Sequence, residues 1–324
     1  MDARDPRGGD PAGVIDAAIV GLGRWGRALV DSVQGKSDKL RFVLGVEPAK
    51  EPVTRFEFSV ISSFEEMLAD SAIRAVVLAT PHSLHLPQVL AAAGAGKQIF
   101  CEKPLALTRA DAEKMVRACE RAGVVLGLGC NRRWWPAMRE LKRLVDSGEL
   151  GTLLHIEGHN SNENSNAVTG GWRTLESESP GGGMTGAGLH ALDAMVSIAG
   201  PVKRVQGQLL HRKAPPAPQD TASALLEFES GVSGLLATVR ATPFYWRIHA
   251  FGTKGNAEVL GETELVVRMS GRPPERRELP AADALRAELE AFADAVDGRA
   301  PFPVTPAQML ATVAAFEAVL EVLD

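Results

Sequence analysis

The sequence predicts an α/β unit with a parallel sheet, followed by an α+β unit with a largely antiparallel sheet. Three observations carry this. Short apolar runs alternate with helical patterns in the first half, and strand-like runs joined by tight turns fill most of the second. The glycine pattern Gly21-x-Gly23-x-x-Gly26 stands where the first apolar run meets the first helical pattern.

Taken in order, Ala17–Val20, Phe42–Val46, Ala75–Ala79, Gln98–Cys101 and Val124–Leu128 read as strands. Between them Trp25–Val33, Phe64–Ala69, Leu84–Ala93 and Arg109–Arg121 have helical periodicity, which implies βαβ units. A helix at Pro136–Ser147 leads out of this unit and ends at Ser147-Gly148. Thr152–Gly158 reads as a strand, and the polar run Asn160–Asn166 as a loop too polar for a core. One helix, Ala187–Ile198, precedes the strands Val202–Leu210, Thr221–Phe228, Gly234–Arg240, Arg247–Gly252 and Glu264–Met269. Glu229-Ser230-Gly231 and Gly252-Thr253-Lys254-Gly255 have the composition of hairpin turns, and Pro215–Pro218 that of a loop. Helices at Ala282–Val296 and Thr305–Leu323 close the chain. The resulting division is a dinucleotide-binding unit over 14–131 and a substrate-binding unit over 132–324, with residues 1–13 read as a disordered leader.

With 324 residues, 45% of them hydrophobic, the chain can bury two cores of ordinary size. A net charge of −5 disfavours non-specific nucleic-acid binding. The basic piece Arg272-Pro273-Pro274-Glu275-Arg276-Arg277 reads as a solvated loop. No apolar run approaches the ~20 residues of a bilayer span, so no membrane partner is expected. Cys101, Cys119 and Cys130 fit neither a disulfide framework nor a zinc site, and no Asn-x-Ser/Thr sequon is present. Free thiols in a reducing cytoplasm are the simplest reading.

The glycine turn has a specific physical use. Gly21 allows the tight turn, Gly23 a close backbone approach to a pyrophosphate, and Gly26 close packing of helix on strand. The helix N-terminus adds N–H donors and partial positive charge for the anion. Glu47 closes the second strand, 21 residues past Gly26, where a carboxylate binds the adenosine ribose. Such a carboxylate repels a 2′-phosphate, which favours NAD, with NADP possible because Arg24 and Lys50 lie close by in sequence.

A second signal is Gln98-Ile99-Phe100-Cys101-Glu102-Lys103-Pro104. Proline biases the preceding residue toward extended backbone, so Lys103 should stand at a strand's C-terminal end, where open α/β sheets place their ligands. A cofactor-adjacent lysine can serve in proton transfer. His190, near a helix start, has a side chain that titrates near neutral pH, as reversible alcohol–carbonyl chemistry requires. His82 and His85 have the spacing of a metal pair but no convincing third ligand, so no metal is expected. They are read instead as lining the nicotinamide pocket or capping the helix near Leu84.

In this order, Gly21–Gly26, Thr80-Pro81-His82-Ser83-Leu84-His85, Cys101-Glu102-Lys103-Pro104, Asn131-Arg132-Arg133-Trp134-Trp135-Pro136, Gly148-Glu149-Leu150-Gly151, Trp172-Arg173 and Gly181–Asp193 resemble the Gfo/Idh/MocA family. That family includes glucose-fructose oxidoreductase and inositol dehydrogenase. The resemblance covers nearly the whole chain from Ala17 on. It implies a Rossmann domain followed by an open-faced sheet domain, and NAD(P)-dependent hydride transfer at a hydroxyl or carbonyl carbon of a sugar, cyclitol or related polyol. It also implies that Lys103 contacts the substrate hydroxyl and the nicotinamide region, and that His190 acts in proton transfer at the substrate oxygen. Gly21, Gly23, Arg24, Trp25, Gly26, Glu47, Thr80, Pro81, His82, His85, Glu102 and Lys103 are then the expected cofactor-binding set. Arg132, Trp172, Arg173 and Asp193 are the substrate-side candidates. Asp193 could also orient His190 from three residues on, Arg173 could bind a carboxylate or hydroxyls, and Asn160–Asn166 could offer polar contacts to a polyol.

One departure matters. The family's usual Asp-x-Gly-x-His is here Gly186-Ala187-Gly188-Leu189-His190, so the aspartate is a glycine. That leaves two alternatives to a simple dehydrogenase: redox-assisted elimination or glycoside cleavage with NAD recycled in place, and a non-catalytic dinucleotide-binding sensor. The face of the antiparallel sheet left without helices is expected to bury itself against a second copy, in a homodimer or homotetramer.

Overall fold

Strand β1 (Ile15–Val20) is buried almost throughout, as a strand covered on both faces must be. It lies inside a six-stranded parallel sheet with β2 (Leu40–Val46), β3 (Ser59–Ile61), β4 (Ala75–Leu78), β5 (Gln98–Glu102) and β6 (Leu126–Gly129). The strand order is β3-β2-β1-β4-β5-β6. Order reverses between β1 and β4, and a crevice opens at the C-terminal ends of those strands. The computed structural model describes residues 13–48, 56–162, 172, 175–210, 212, 221–240 and 242–323.

The connecting helices are α1 (Arg24–Val33), α2 (Phe64–Ala69), α3 (His85–Gly94) and α4 (Arg109–Ala122). Their ends follow from local chemistry. Ser63 and Thr108 accept the N–H groups of Glu66 and Asp111 as N-caps, and Gly123 at φ +66° closes α4 in the left-handed region. No side chain caps α1, which begins directly after Gly23.

Helix α5 (Pro136–Asp146), with proline in its first turn, leads to an eight-stranded sheet. This sheet holds β7 (Leu153–Ser161), β8 (Val202–Leu210), β9 (Thr221–Phe228), β10 (Ser233–Val239), β11 (Tyr245–Gly252), β12 (Gly255–Leu260), β13 (Glu264–Met269) and β14 (Glu275–Glu278). The order is β14-β13-β12-β11-β7-β10-β9-β8. Every pairing is antiparallel except β7 with β10. The fold class is therefore the expected one, an α/β parallel sheet plus an α+β unit.

Three helices cover one face of this sheet. They are α5, α6 (Leu189–Ala199) and α8 (Pro306–Leu323), lying against β12–β13, β7–β11 and β8 respectively. Gly158 makes the close approach of α6 possible, because a Cβ there would lie 2.5 Å from Met195 Sδ. The opposite face presents Leu225 (57% exposed), Leu235 (38%) and an ion-pair ladder from Glu157 through Arg247 and Glu258 to Arg268. By length and composition α8 could cross a membrane, but its buried residues pack on β8, α4 and α6.

The last helix but one, α7 (Ala284–Val296), returns to the parallel sheet and packs on α1, β2 and β5. Phe292 meets Phe100 edge-on, 5.7 Å between ring centroids.

Several expectations need correction. The stretch read as a solvated loop runs into β14, an edge strand whose four residues are all charged. Asn160 and Ser161 were expected in a loop, yet they end β7 and are buried. Ser161 Oγ accepts the Val239 amide, and Asn160 Nδ2 donates to the Ala187 carbonyl. Strands β3 and β12 were not expected at all. The proline loop at 215–218 and residues 1–12 lie outside the described residues.

Candidate active site

The crevice at the β1/β4 reversal holds the glycine turn. Gly21 has φ +89°, and a Cβ there would come within 2.7 Å of the Ala79 carbonyl oxygen. A Cβ on Gly26 would lie 1.9 Å from the Gly21 carbonyl oxygen. Both positions therefore demand glycine, and at Gly23 the corresponding space is open. The first amides of α1 face that space with no side-chain cap. Arg24, the first residue of α1, is exposed at the turn. Trp25 Nε1 is buried with no hydrogen-bond partner among the described residues. A dinucleotide fits this cradle: the amides meet the pyrophosphate, and the missing Cβ atoms leave room for it.

Glu47 follows β2, and its carboxylate accepts the Leu22 amide at 2.8 Å. That bond fixes the acid beside the turn, where the adenosine ribose of a bound dinucleotide would lie. Glu47→Ala should weaken NAD binding and narrow the preference over NADP, since it removes a ribose acceptor and a repelling charge together. Fluorescence titration with both cofactors checks this, and an unchanged NAD/NADP ratio would remove Glu47 from the site. Lys50 lies outside the described residues.

From the glycine turn a cavity of ≈ 290 Å³ runs toward the second unit. Its wall includes Arg24, Trp25, Thr80, His82, Glu102 and Lys103 on one side, and Arg132, Trp172 and His190 on the other. The candidates from distant parts of the sequence thus share one space. Thr80 Oγ1 donates to Gln88 Oε1 at 2.7 Å. Pro81 precedes the short 3-10 turn His82–Leu84. The His82 ring meets Trp172 edge-on, with 4.9 Å between centroids. Glu178 bonds to both the amide and the hydroxyl of Ser83, so a carboxylate from the second unit sits at the start of this turn.

Lys103 stands one residue past β5, as its position before proline predicts, and the Lys103–Pro104 bond is cis. Its Nζ donates to the carbonyls of Gly186 (3.1 Å) and Thr185 (3.3 Å). These carbonyls belong to a π-helical turn, Met184–Gly188, that runs directly into α6. The ammonium is therefore tethered at the position where the family's aspartate would stand. His190 lies in the first turn of α6, on the same cavity. Burial, with the charges of Lys103 and Arg132, pushes its imidazole well below the ordinary histidine range.

Two expected site residues face elsewhere. His85 is wholly buried, with Nδ1 2.8 Å from the Pro104 carbonyl and Nε2 3.2 Å from that of Thr80. It braces the Thr80 and Lys103 loops against each other instead of lining the nicotinamide pocket. Asp193 is also buried. It accepts from Arg133 Nε (2.8 Å), Arg133 Nη2 (2.6 Å) and Thr312 Oγ1 (3.1 Å), bonds that hold α6 in place. Arg173 lies outside the described residues. Ser179, Asn160, Asn162 and Arg240 also line the cavity. Arg240 follows β10, and nothing local in its sequence marks it for the site. No group of three or more metal-ligating side chains occurs among the described residues.

Two family models match the chain. The oxidoreductase family with an NAD-binding Rossmann fold covers residues 15–130, and the GFO/IDH/MocA C-terminal domain covers 138–258. The chain belongs to the GFO/IDH/MocA oxidoreductase family. Among curated relatives, scyllo-inositol 2-dehydrogenase (NAD(+)) of Bacillus subtilis is 30% identical over 75% of this chain and 72% of its own length. The 2,7-anhydro-N-acetylneuraminate hydratase of Escherichia coli is 27% identical over 80% of this chain and 71% of its own. Among solved structures, a Desulfitobacterium hafniense protein assigned as an NADPH-dependent oxidoreductase superposes with a TM-score of 0.87 at 26% identity, covering 96% and 95% of the two chains. As a member of this family the protein is an NAD(P)-dependent oxidoreductase with an NAD-binding Rossmann domain.

Proposed function

We propose that the protein transfers a hydride at a hydroxyl or carbonyl carbon of a sugar, cyclitol or related polyol, with Lys103 and His190 handling the hydroxyl proton. The observation that carries this reading is the shared cavity. The Lys103 ammonium and the His190 imidazole meet in the space that the glycine turn opens into. The B. subtilis relative, named as an inositol dehydrogenase, supports the substrate class.

NAD, when bound, supplies the hydride acceptor. The chain's own contribution is to orient the substrate and to move the proton. Lys103, steadied by two carbonyls, places its ammonium charge beside a substrate oxygen and stabilises negative charge developing there. His190, neutral because of its surroundings, accepts the hydroxyl proton during oxidation and returns it during reduction. The test is NADH formation on a panel of polyols, aldoses and cyclitols, and turnover on none of them would overturn the reading.

The state of His190 gives a pH signature. A solvated histidine titrates near about 6.5. The folded value lies below that, so the imidazole stays an acceptor as pH falls through this region. The acidic limb of kcat/KM for oxidation should therefore lie below about pH 6.5. The unfolded chain binds the proton first, so His190 should subtract stability as pH drops from about 6.5 toward the folded value. A pH–rate profile with matched thermal melts checks both, and an acidic limb above neutrality would mean a different base.

A second reading is favoured by the E. coli relative. With NAD reduced and reoxidised within one turnover, the same site would drive elimination or glycoside cleavage, and the E. coli relative is named as a hydratase. Product formation without net NADH would distinguish it. We further propose a cofactor unit over 14–131 and a substrate unit over 132–324. The open sheet face with Leu225 and Leu235 would pair with a second copy, giving a homodimer or homotetramer that light scattering would detect. The three cysteines are all free and buried, consistent with a reducing, cytoplasmic compartment.

A further inference from the structure

We propose that Glu178 is a latch: its bonds to Ser83 hold residues 175–188 across the crevice between the two units, and they must break before NAD(H) can leave. The proposal rests on the NAD-binding domain and goes beyond the reading of the substrate.

The contacts at Glu178 carry it. Its carboxylate accepts the Ser83 amide at 3.1 Å through Oε2 and the Ser83 hydroxyl through Oε1. Its backbone carbonyl meets His82 Nδ1, and since a carbonyl only accepts, that nitrogen carries the proton. One residue of the second unit thus engages two successive residues of the turn after β4. Glu178 is 7% exposed, while Glu176, Ser177 and Ser83 around it are exposed. A carboxylate withdrawn from water is costly unless its oxygens are bonded, and here both are, to a neighbour across the crevice.

The same strap forms part of the cavity that starts at the glycine turn. Ser179, Gly182, Thr185 and Gly186 share its wall with Arg24, Trp25 and Thr80. Further along, the Thr185 and Gly186 carbonyls accept from Lys103 Nζ, and Thr185 Oγ1 donates back to the Pro180 carbonyl. The strap is therefore fastened to the first unit at two points, Ser83 and Lys103. Between them Gly181 and Gly182 hold φ +64° and +56°, a pair of left-handed residues on which the chain can pivot. A ligand that reaches from the glycine turn into a cavity walled by both units leaves when one wall moves. The strap is a wall that side-chain hydrogen bonds fasten, so its release is the low-cost opening.

The experiment is stopped-flow measurement of NADH dissociation from the full chain, by displacement with excess NAD and read by NADH fluorescence. Glu178→Ala should raise the dissociation rate at least ~10-fold, because two charge-assisted bonds are lost. Ser83→Ala removes the hydroxyl bond and keeps the amide bond, and should raise the rate about threefold. Glu178→Gln still bridges Ser83, with Oε1 accepting the amide and Nε2 donating to the hydroxyl, so its rate should lie between wild type and Glu178→Ala. Added to Glu178→Ala, Ser83→Ala should change nothing further, since its partner is already gone. A Glu178→Ala rate within about twofold of wild type would overturn the proposal, and so would multiplicative effects in the double variant. A lower melting temperature without faster NADH release would likewise overturn it, by making Glu178 a packing residue. If Glu178→Ala does not fold, Ser83→Ala and Glu178→Gln carry the same test. No turnover is read, so failure of the polyol reading leaves this result untouched.

Discussion

Lys103→Ala should lower turnover by about 10²–10⁴-fold while leaving the fold and most of the NAD affinity intact. The ammonium bonds to the Thr185 and Gly186 carbonyls, in the stretch that leads to His190, and neither of these bonds involves α1. Its removal therefore touches the reacting oxygen and spares the cofactor cradle. Lys103→Arg is a useful companion. It keeps the charge but replaces a compact ammonium with a planar fork that cannot give up its proton, so it should rescue cofactor and substrate binding more than rate. The measurement is steady-state kinetics on any accepted substrate, with NAD titration and circular dichroism as controls. An alanine variant within a factor of about three of wild type would make Lys103 a tether for the π-helical turn and nothing more.

Asp193→Ala should destabilise the protein by about 3–5 kcal/mol. Arg133 and Asp193 have side chains only 12% and 5% exposed, and they form a two-point ion pair. Burial opposes the charge on Arg133, yet the Asp193 carboxylate holds it above its ordinary value. Removing the aspartate strands that charge beside Gln308, a neutral acceptor. The pair joins the segment after β6 to α6, and Thr312 adds α8 to the same knot. Urea denaturation checks the magnitude. A loss below about 1 kcal/mol would mean that the pair behaves like a surface bridge. Because His190 sits one turn before Asp193, residual activity in the variant should fall through disorder of α6 and not through a changed proton path.

Much of this was legible in the sequence, for identifiable reasons. The parallel strands read clearly because both their faces are buried, so they are continuous apolar runs. The glycine turn and Lys103 read clearly because each needs a backbone geometry that few residues supply. What failed to show lacked an apolar signature. Strand β3 has three residues, and β14 is Glu-Arg-Arg-Glu, held only as an edge. Strand β12 begins Gly-Asn, a pair more typical of turns. Asn160 and Ser161 are polar residues that bond to Ala187 and Val239, far along the chain, so no local apolar pattern announces their burial. Arg240 and Glu178 reach the site the same way, with no local pattern to mark them. His85 and Asp193 err in the opposite direction. Their residue types suit a site, but each finds all its partners inside the scaffold.

The return of α7 to the parallel sheet bears on how the chain is made. During synthesis β1 to β6 leave the ribosome long before residues 284–296, yet part of the wall over Phe100 and the β2 side is that late helix. Until it arrives, the nascent first half displays an unsealed apolar surface, a natural client for a holdase chaperone. A fragment stopped after α5 should therefore aggregate or stay molten, although it contains every strand of its sheet. The two halves would then mature together, and cofactor-binding competence would be acquired only at the end of translation.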